Sequence, residues 1–337
     1  MIDWANLPFG YGKTNVNTRC YYKDGKWGKI EVTDSEYLNI HIAATCLHYG
    51  QECFEGLKAY RGKDNKIRLF RWEENAKRIN RSAARIGMPQ VPTDVFKELL
   101  FTLVKQNAEF IPPYGTGASL YIRPLMIGTG AQLGIGASKE YILLMFCSPV
   151  GPYFKGGFKP AKVIIERDSD RAAPLGTGDV KIGGNYAAAL NACIVSHDNG
   201  FAAPLYLDST EKKYLDECGG ANVIAIKGNT YITPKSTSIL PSITNMSLKE
   251  LAADKGMKVE NRRIALEELA ECQEAAQCGT AAVLTPISVV YDPVNKKEYT
   301  FGDGVNPGKW CVELYNTLVG IQYGDVADKF GWVTIID

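Results

Sequence analysis

Gly-Thr-Gly-Asp-Val-Lys-Ile-Gly-Gly-Asn-Tyr, residues 176–186, sets Lys181 among small and apolar neighbours. Lysine normally carries a hydrated charge. Desolvation disfavours the ammonium and leaves a free amine, which can attack a carbonyl and form a Schiff base. Tyr-Leu-Asp-Glu-Cys-Gly-Gly-Ala-Asn, residues 214–222, then supplies Glu217, a carboxylate able to keep a ring nitrogen protonated. Taken alone, Lys181 is more readily a structural or surface lysine, and a glutamate facing water does no chemistry. The two segments together shift the balance towards catalysis.

Outward from this pair, Asn185 is a candidate cap for an alanine-rich helix running to about His197 and ending at Gly200. A strand is predicted near Lys162–Arg167, and short strands at Leu205–Leu207 and Lys213–Asp216. Val223–Ile226 and Tyr231–Thr233 flank a Gly-Asn turn and read as a hairpin. A helix follows from about Asn245 to Lys255, then strands at Ala275–Cys278 and Ala281–Val290, and a closing amphipathic helix at Trp310–Tyr323. Towards the N-terminus, Leu47–Arg61 reads as one long extended stretch. Ile67–Phe70 feeds a helix whose apolar stripe is Ala76, Ile79, Ala83 and Ile86, with Gly87 as its stop. Pro92-Thr93-Asp94 opens a second helix, and strands follow at Ser119–Ile127 and Tyr141–Ser148. Neither half shows the βαβ alternation of a doubly wound fold, so both are read as α+β. The expected division is residues 1–150, a loop at 151–161 and a second domain at 162–337. Pro149 to Gly157 is the most loop-like stretch in the middle of the chain.

A chain of 337 residues exceeds one ordinary core. Its formal charge of +1, with scattered basic residues, gives no electrostatic reason to expect nucleic acid or a membrane as partner. Met1 to Gly12 lacks the basic start and apolar core of a signal peptide, and no apolar run reaches spanning length. Nine cysteines without a Cys-x-x-Cys pair read as reduced thiols, which points to a cytoplasmic protein. Three histidines, none with a ligand-like neighbour, leave no metal site expected.

The Lys181–Tyr186 and Glu217–Asn222 segments, with Leu-His-Tyr-Gly-Gln-Glu-Cys-Phe-Glu-Gly-Leu-Lys-Ala-Tyr-Arg (47–61), Asn-Ala-Lys-Arg-Ile-Asn-Arg-Ser-Ala (75–83), Ser-Leu-Tyr-Ile-Arg-Pro (119–124) and Gly-Thr-Ala-Ala (279–282), resemble the fold-type IV pyridoxal-phosphate enzymes. The match is closest to the branched-chain amino acid aminotransferases. Gly320 to Gly324 echoes the family's C-terminus, so the resemblance covers nearly the whole chain. It implies a smaller N-terminal α/β domain, a larger C-terminal domain with barrel-like β-sheets, and a homodimer. It also implies a cofactor cleft between the domains, which the partner subunit helps to close.

By that resemblance Lys181 holds pyridoxal 5'-phosphate as a Schiff base and shuttles the substrate's Cα proton. Arg78, Ile243, Thr244 and Thr280 hold the phosphate, Tyr186 the phenolic oxygen and Glu217 the ring nitrogen. Tyr49, Phe54 and Tyr153 wall the side-chain pocket. Tyr121 and Arg123, two apart on a strand and so on one face, would meet the second carboxylate of glutamate. The Thr280–Ala281 amides would take the α-carboxylate. The implied reaction is ping-pong transamination of L-leucine, L-isoleucine and L-valine with 2-oxoglutarate. Each residue has a plainer reading: Arg78 as a solvated charge on the polar side of its helix, Tyr186 as core, the threonines as caps or turns. D-amino acid aminotransferase and aminodeoxychorismate lyase remain rivals within the fold. Passive binding of vitamin B6 or a nucleotide is the rival outside it, although the glycines at 128, 130, 134 and 136 do not fit Gly-x-Gly-x-x-Gly. Two departures stand out: Gly220 where some relatives carry threonine, and no Cys-x-x-Cys after Gly-Thr-Ala-Ala.

Overall fold

The computed structural model describes residues 2–153 and 157–336. Of the expected connection at 151–161, residues 154–156 lie outside the described residues. Contacts gather the described chain into two units: residues 2–153, 180–183 and 320–336 in the first, and 157–179 and 184–319 in the second.

The first unit is an antiparallel sheet backed by helices. Its elements are β1 (Asn17–Lys23), β2 (Lys26–Thr33), α1 (Thr45–Tyr49), β3 (Glu52–Phe54), β4 (Leu57–Arg61), β5 (Ile67–Phe70), α2 (Trp72–Arg85), α3 (Thr93–Gln106), β6 (Ser119–Gly128) and β7 (Tyr141–Val150). The C-terminal strand Val333–Ile336 pairs with β5 at one edge, and β4, β6, β7, β1 and β2 follow in order, with β3 also on β6. Alternation along β6 and β7 splits the sheet into two faces. Leu120, Ile122, Met126, Leu143, Met145 and Cys147 pack with Ile79 and Ala83 of α2 and Phe96, Leu99 and Leu103 of α3. Residues of opposite parity, Tyr121, Arg123 and Phe146 among them, lie on the other face. The long extended stretch expected at Leu47–Arg61 is instead helix α1 followed by two strands. Gly50 ends α1 at a φ of 58°, and a break at Glu55-Gly56 separates β3 from β4.

The second unit contains β8 (Ala161–Glu166), α4 (Gly183–Asp198, its first residue in the first unit), β9 (Ala203–Leu207), β10 (Leu215–Cys218), β11 (Ala221–Lys227), β12 (Thr230–Pro234), α5 (Ile243–Asp254), β13 (Lys258–Arg262), β14 (Glu274–Gly279), β15 (Val283–Asp292), β16 (Lys297–Thr300) and α6 (Lys309–Tyr323). Neighbours run β10-β9-β8-β15-β14-β11, and β10 also pairs with β11, so these six strands close into a ring. β12 and β13 extend beyond it from β11, and β16 pairs with β15. The ring is the barrel-like sheet the resemblance implies. Its core is aliphatic, with Val163, Leu205, Leu215, Val223, Ala225 and Ile287 packed together. Among the described residues no helix is long and apolar enough to cross a membrane, and all nine cysteines are free thiols.

Candidate functional site

Lys181 lies between Val180 and Ile182, both buried in the first unit's core. Its backbone is fixed at both ends. The Lys181 amide donates to Ser82 Oγ at 2.9 Å, and its carbonyl accepts from the Phe54 amide at 3.1 Å. The Gly183 amide is held by Glu52 Oε1. Lys181 Nζ lies over the Phe54 ring, 4.6 Å from the centroid. Burial pushes this amine down to about 8, the nearby Arg78 guanidinium adds to the fall, and Glu55 opposes it.

Helix α2 buries two adjacent stripes: Ala76, Ile79 and Ala83 in the core, and the polar Asn75, Arg78 and Ser82 beside them. Arg78 is therefore not the solvated helix charge of its plainer reading. It is buried, with Nε and Nη2 donating to Glu55 Oε1 and Oε2 at 2.7 and 2.8 Å. Asn75 Nδ2 donates to Glu55 Oε2 at 2.7 Å. A fully buried carboxylate compensates the cation and fixes the direction in which the guanidinium fork is presented.

On the open face of the sheet, Arg123 Nη2 donates to the Tyr121 hydroxyl at 3.0 Å, and the guanidinium lies 4.9 Å from the Phe54 ring centroid. Arg123 Nε is buried without a hydrogen-bond partner among the described residues. Gly56 passes so close that a Cβ there would meet the Tyr121 hydroxyl at 2.2 Å. Phe54, Tyr121, Arg123, Arg78 and Lys181 thus belong to one group within the first unit. Tyr49 and Tyr153 are more exposed, at the end of α1 and just beyond β7, and the Tyr49 hydroxyl donates to the Leu133 carbonyl.

In the second unit, Glu217 on β10 is buried, which pushes its carboxyl up from the ordinary glutamate range, while Arg171 works in the opposite direction. Glu217 Oε1 lies 2.5 Å from Arg171 Nη2 and accepts from the Leu240 amide at 2.9 Å; Oε2 accepts from Asn222 Nδ2 at 2.9 Å. Arg171 Nη1 also donates to the Ser238 and Gly178 carbonyls at 3.0 and 3.3 Å. No side chain fits at Gly178, where a Cβ would sit 2.2 Å from the Ser238 carbonyl oxygen.

Helix α5 starts buried, with Ser242 as its cap accepting from the Asn245 amide at 3.2 Å. The amides of Ile243 and Thr244 precede the first intrahelical bond, Met246 to Ser242, and form a donor pair suited to an anion. Thr280 and Ala281 occupy the turn between β14 and β15. Directly after it Val283 takes a φ of 65°, a strained conformation for a β-branched residue. Tyr186 is half-buried in the first turn of α4. The helix begins at Gly183, two residues before the expected cap, and Asn185 turns its side chain back to Thr177, its Nδ2 donating to the carbonyl at 2.7 Å and its Oδ1 accepting from the hydroxyl at 2.8 Å.

Glu55, Ser82, Arg171 and Asn222 escaped the sequence reading. Asn75, Arg78 and Ser82 recur at three- and four-residue spacing, a signal that one helix face is polar yet committed. Arg171 had no comparable signal. Each unit carries groups of the kind pyridoxal phosphate takes: in the first, the Lys181 amine, whose hold on its proton burial weakens, and the buried Arg78 fork; in the second, the buried Glu217 carboxylate and the amides at the start of α5.

The amino-transferase class IV family model matches residues 52–290. The branched-chain-amino-acid aminotransferase of Haemophilus influenzae is 45% identical over 100% of this chain and 99% of its own length. The Escherichia coli branched-chain amino acid aminotransferase structure superposes with a TM-score of 0.79 at 25% identity, covering 96% of this chain and all of that one. Another solved branched-chain amino acid aminotransferase, complexed with N-(5'-phosphopyridoxyl)-L-glutamate, gives a TM-score of 0.76 at 25% identity over 94% of this chain and 98% of that one. The fold-type IV architecture expected from the segments around Lys181 holds, and the chain belongs to the class IV aminotransferases, in the branched-chain-amino-acid aminotransferase family.

Proposed function

We propose that this chain transfers the amino group of L-leucine, L-isoleucine and L-valine to 2-oxoglutarate, giving branched 2-oxo acids and L-glutamate, with pyridoxal 5'-phosphate as cofactor. The observation that carries the reading is the desolvated Lys181 amine, pinned through its backbone and lying over Phe54 beside Arg78. When bound, the cofactor supplies an aldehyde for the amine and a ring that accepts electrons from the substrate carbon. Lys181 Nζ would hold it and move the proton at the substrate Cα. Arg78, the Ile243 and Thr244 amides and the Thr280 hydroxyl would bind the phosphate, Tyr186 the phenolic oxygen, and Glu217 the protonated ring nitrogen.

Phe54, Tyr49 and Tyr153 would offer apolar surface to a branched side chain. Arg123, with one buried donor uncommitted among the described residues, would receive the second carboxylate of glutamate, and the Thr280–Ala281 amides the α-carboxylate. Lys181→Ala should abolish both turnover and the visible absorbance of the bound cofactor; normal turnover would overturn the assignment. Parallel assays of L-leucine, D-alanine and aminodeoxychorismate separate this activity from its rivals on the same fold.

A homodimer and a cytoplasmic location belong to the same proposal. Ile42, Leu133 and Ile135 are 82%, 86% and 91% exposed, a concentration of bare aliphatic surface that a partner would cover. The loops carrying them are tied together by the Gln132 amide on the Ala43 carbonyl. Nine unpaired thiols suit a reducing compartment.

A further inference from the structure

Glu217 ends a chain of buried polar side chains that runs from Tyr231 on β12 through Asn245 at the start of helix α5. Tyr231 Oη donates to Asn245 Oδ1 at 2.8 Å, Asn245 Nδ2 donates to Asn222 Oδ1 at 3.1 Å, and Asn222 Nδ2 donates to Glu217 Oε2 at 2.9 Å. The second amide hydrogens are used as well, Asn245 on Thr233 Oγ1 at 2.8 Å and Asn222 on the Leu240 carbonyl at 2.9 Å. Tyr231, Asn245, Asn222, Thr233 and Glu217 are all buried. None of these bonds belongs to the strand ladder, although Glu217 and Asn222 are cross-strand partners on β10 and β11.

The chain has a direction, and chemistry fixes it. An ionised carboxylate only accepts, so Asn222 must turn its NH2 towards Glu217 and its carbonyl towards Asn245. Asn245 must then donate to Asn222 and present its own carbonyl to Tyr231, whose hydroxyl donates. Protonating Glu217 on Oε2 would set a donor against the Asn222 NH2 and strand buried groups down the line. One end of the chain is the carboxylate; the other is Tyr231 on β12, reached through Asn245 in the first turn of α5, beside the Ile243 and Thr244 amides.

On the reading that Glu217 takes the ring nitrogen and the α5 start takes the phosphate, we propose that Asn222 and Asn245 are positioning residues. They lock Glu217 as an ionised acceptor and fix its place relative to the helix start, so that ring and phosphate are gripped in one register. Neither touches the reacting atoms.

The test uses the cofactor-loaded enzyme and the variants Asn222→Leu, Asn245→Leu, Tyr231→Phe and Glu217→Gln. Losing a hydrogen bond that supports a charged group should lower kcat for L-leucine roughly 10- to 100-fold in the asparagine variants. KM should stay within about twofold, because the substrate is not what these residues hold. Tyr231→Phe, which deletes one oxygen and keeps the shape, should cost about threefold. The pH midpoint of the cofactor's visible band should move in the asparagine variants in the same direction as in Glu217→Gln. In a Glu217→Gln background the Asn245→Leu loss should shrink to less than about twofold. Equal losses in both backgrounds, or an unmoved midpoint, would reduce the asparagines to structural roles and overturn the proposal; if the leucine variants fail to fold, Tyr231→Phe alone and paired with Glu217→Gln decides by the same criteria. A Glu217→Gln enzyme with unaltered spectrum and rate would instead sink the carboxylate's own assignment, and this inference with it.

Discussion

Lys181 and Arg123 each carry a charge into surroundings that do not fully solvate it. For Lys181 the consequence is a pH-dependent cost. With its amine pushed down to about 8, the folded chain releases a proton that the unfolded chain keeps until about 10.4. Below pH 8 the cost is complete, and it is relieved as pH climbs from about 8 to 10.4 because the unfolded state then binds more protons. Lys181→Met should therefore stabilise the cofactor-free protein at pH 7, by up to about 3 kcal/mol, with the gain fading towards pH 10.5. Paired thermal melts across that range check it, and a pH-independent difference would contradict it. Arg123, proposed to receive the second carboxylate of glutamate, would separate the two substrate classes. Arg123→Gln should raise KM for 2-oxoglutarate roughly 30-fold or more while changing KM for L-leucine by less than about threefold. Equal effects on both substrates would remove Arg123 from recognition of the second carboxylate.

Helix α2 shows what one element does for the chemistry. Its apolar stripe anchors it to the sheet, while Asn75, Arg78 and Ser82 manage Glu55 and the Lys181 backbone. Glu55→Gln removes the carboxylate that compensates the buried Arg78 charge and should cost about 3–5 kcal/mol, measured by denaturant unfolding. A loss under 1 kcal/mol would mean that the pair does not compensate. The apolar period of α2 was legible because Ala76, Ile79 and Ala83 recur on a helical repeat, and α3, β6, β7 and the β11–β12 hairpin carried similarly local signals. Elements whose reason is distant were not legible. Helix α1 is only five residues long, too short to display a period. The C-terminal strand Val333–Ile336 exists because β5, far earlier in the chain, offers it an edge. Lys181 and Glu217 could be singled out as candidates from their neighbours, whereas Glu55 and Arg171 acquire meaning only from partners 23 and 46 residues away (78 − 55 and 217 − 171).

At the scale of the molecule, the exposed Ile42, Leu133 and Ile135 set the expectation for assembly. Replacing Leu133 and Ile135 together by aspartate should convert a dimer to monomers by light scattering, without lowering the melting temperature of the isolated chain by more than a few degrees. An unchanged mass would mean that this surface is not where two copies meet. The ring of six strands holds a further consequence. It is closed by the pairing of β10 with β11, which links Glu217 to Asn222 and Cys218 to Ala221 across Gly219-Gly220. The carboxylate proposed to grip the cofactor thus lies on a short seam of the barrel, where local opening is easiest. Loading the cofactor would then act as a rivet. Amide hydrogens of residues 217–222 should exchange with deuterium markedly more slowly in the loaded enzyme than in the empty one, a slowing larger than anywhere else in the ring, and loss of the small molecule would loosen the barrel first at this point.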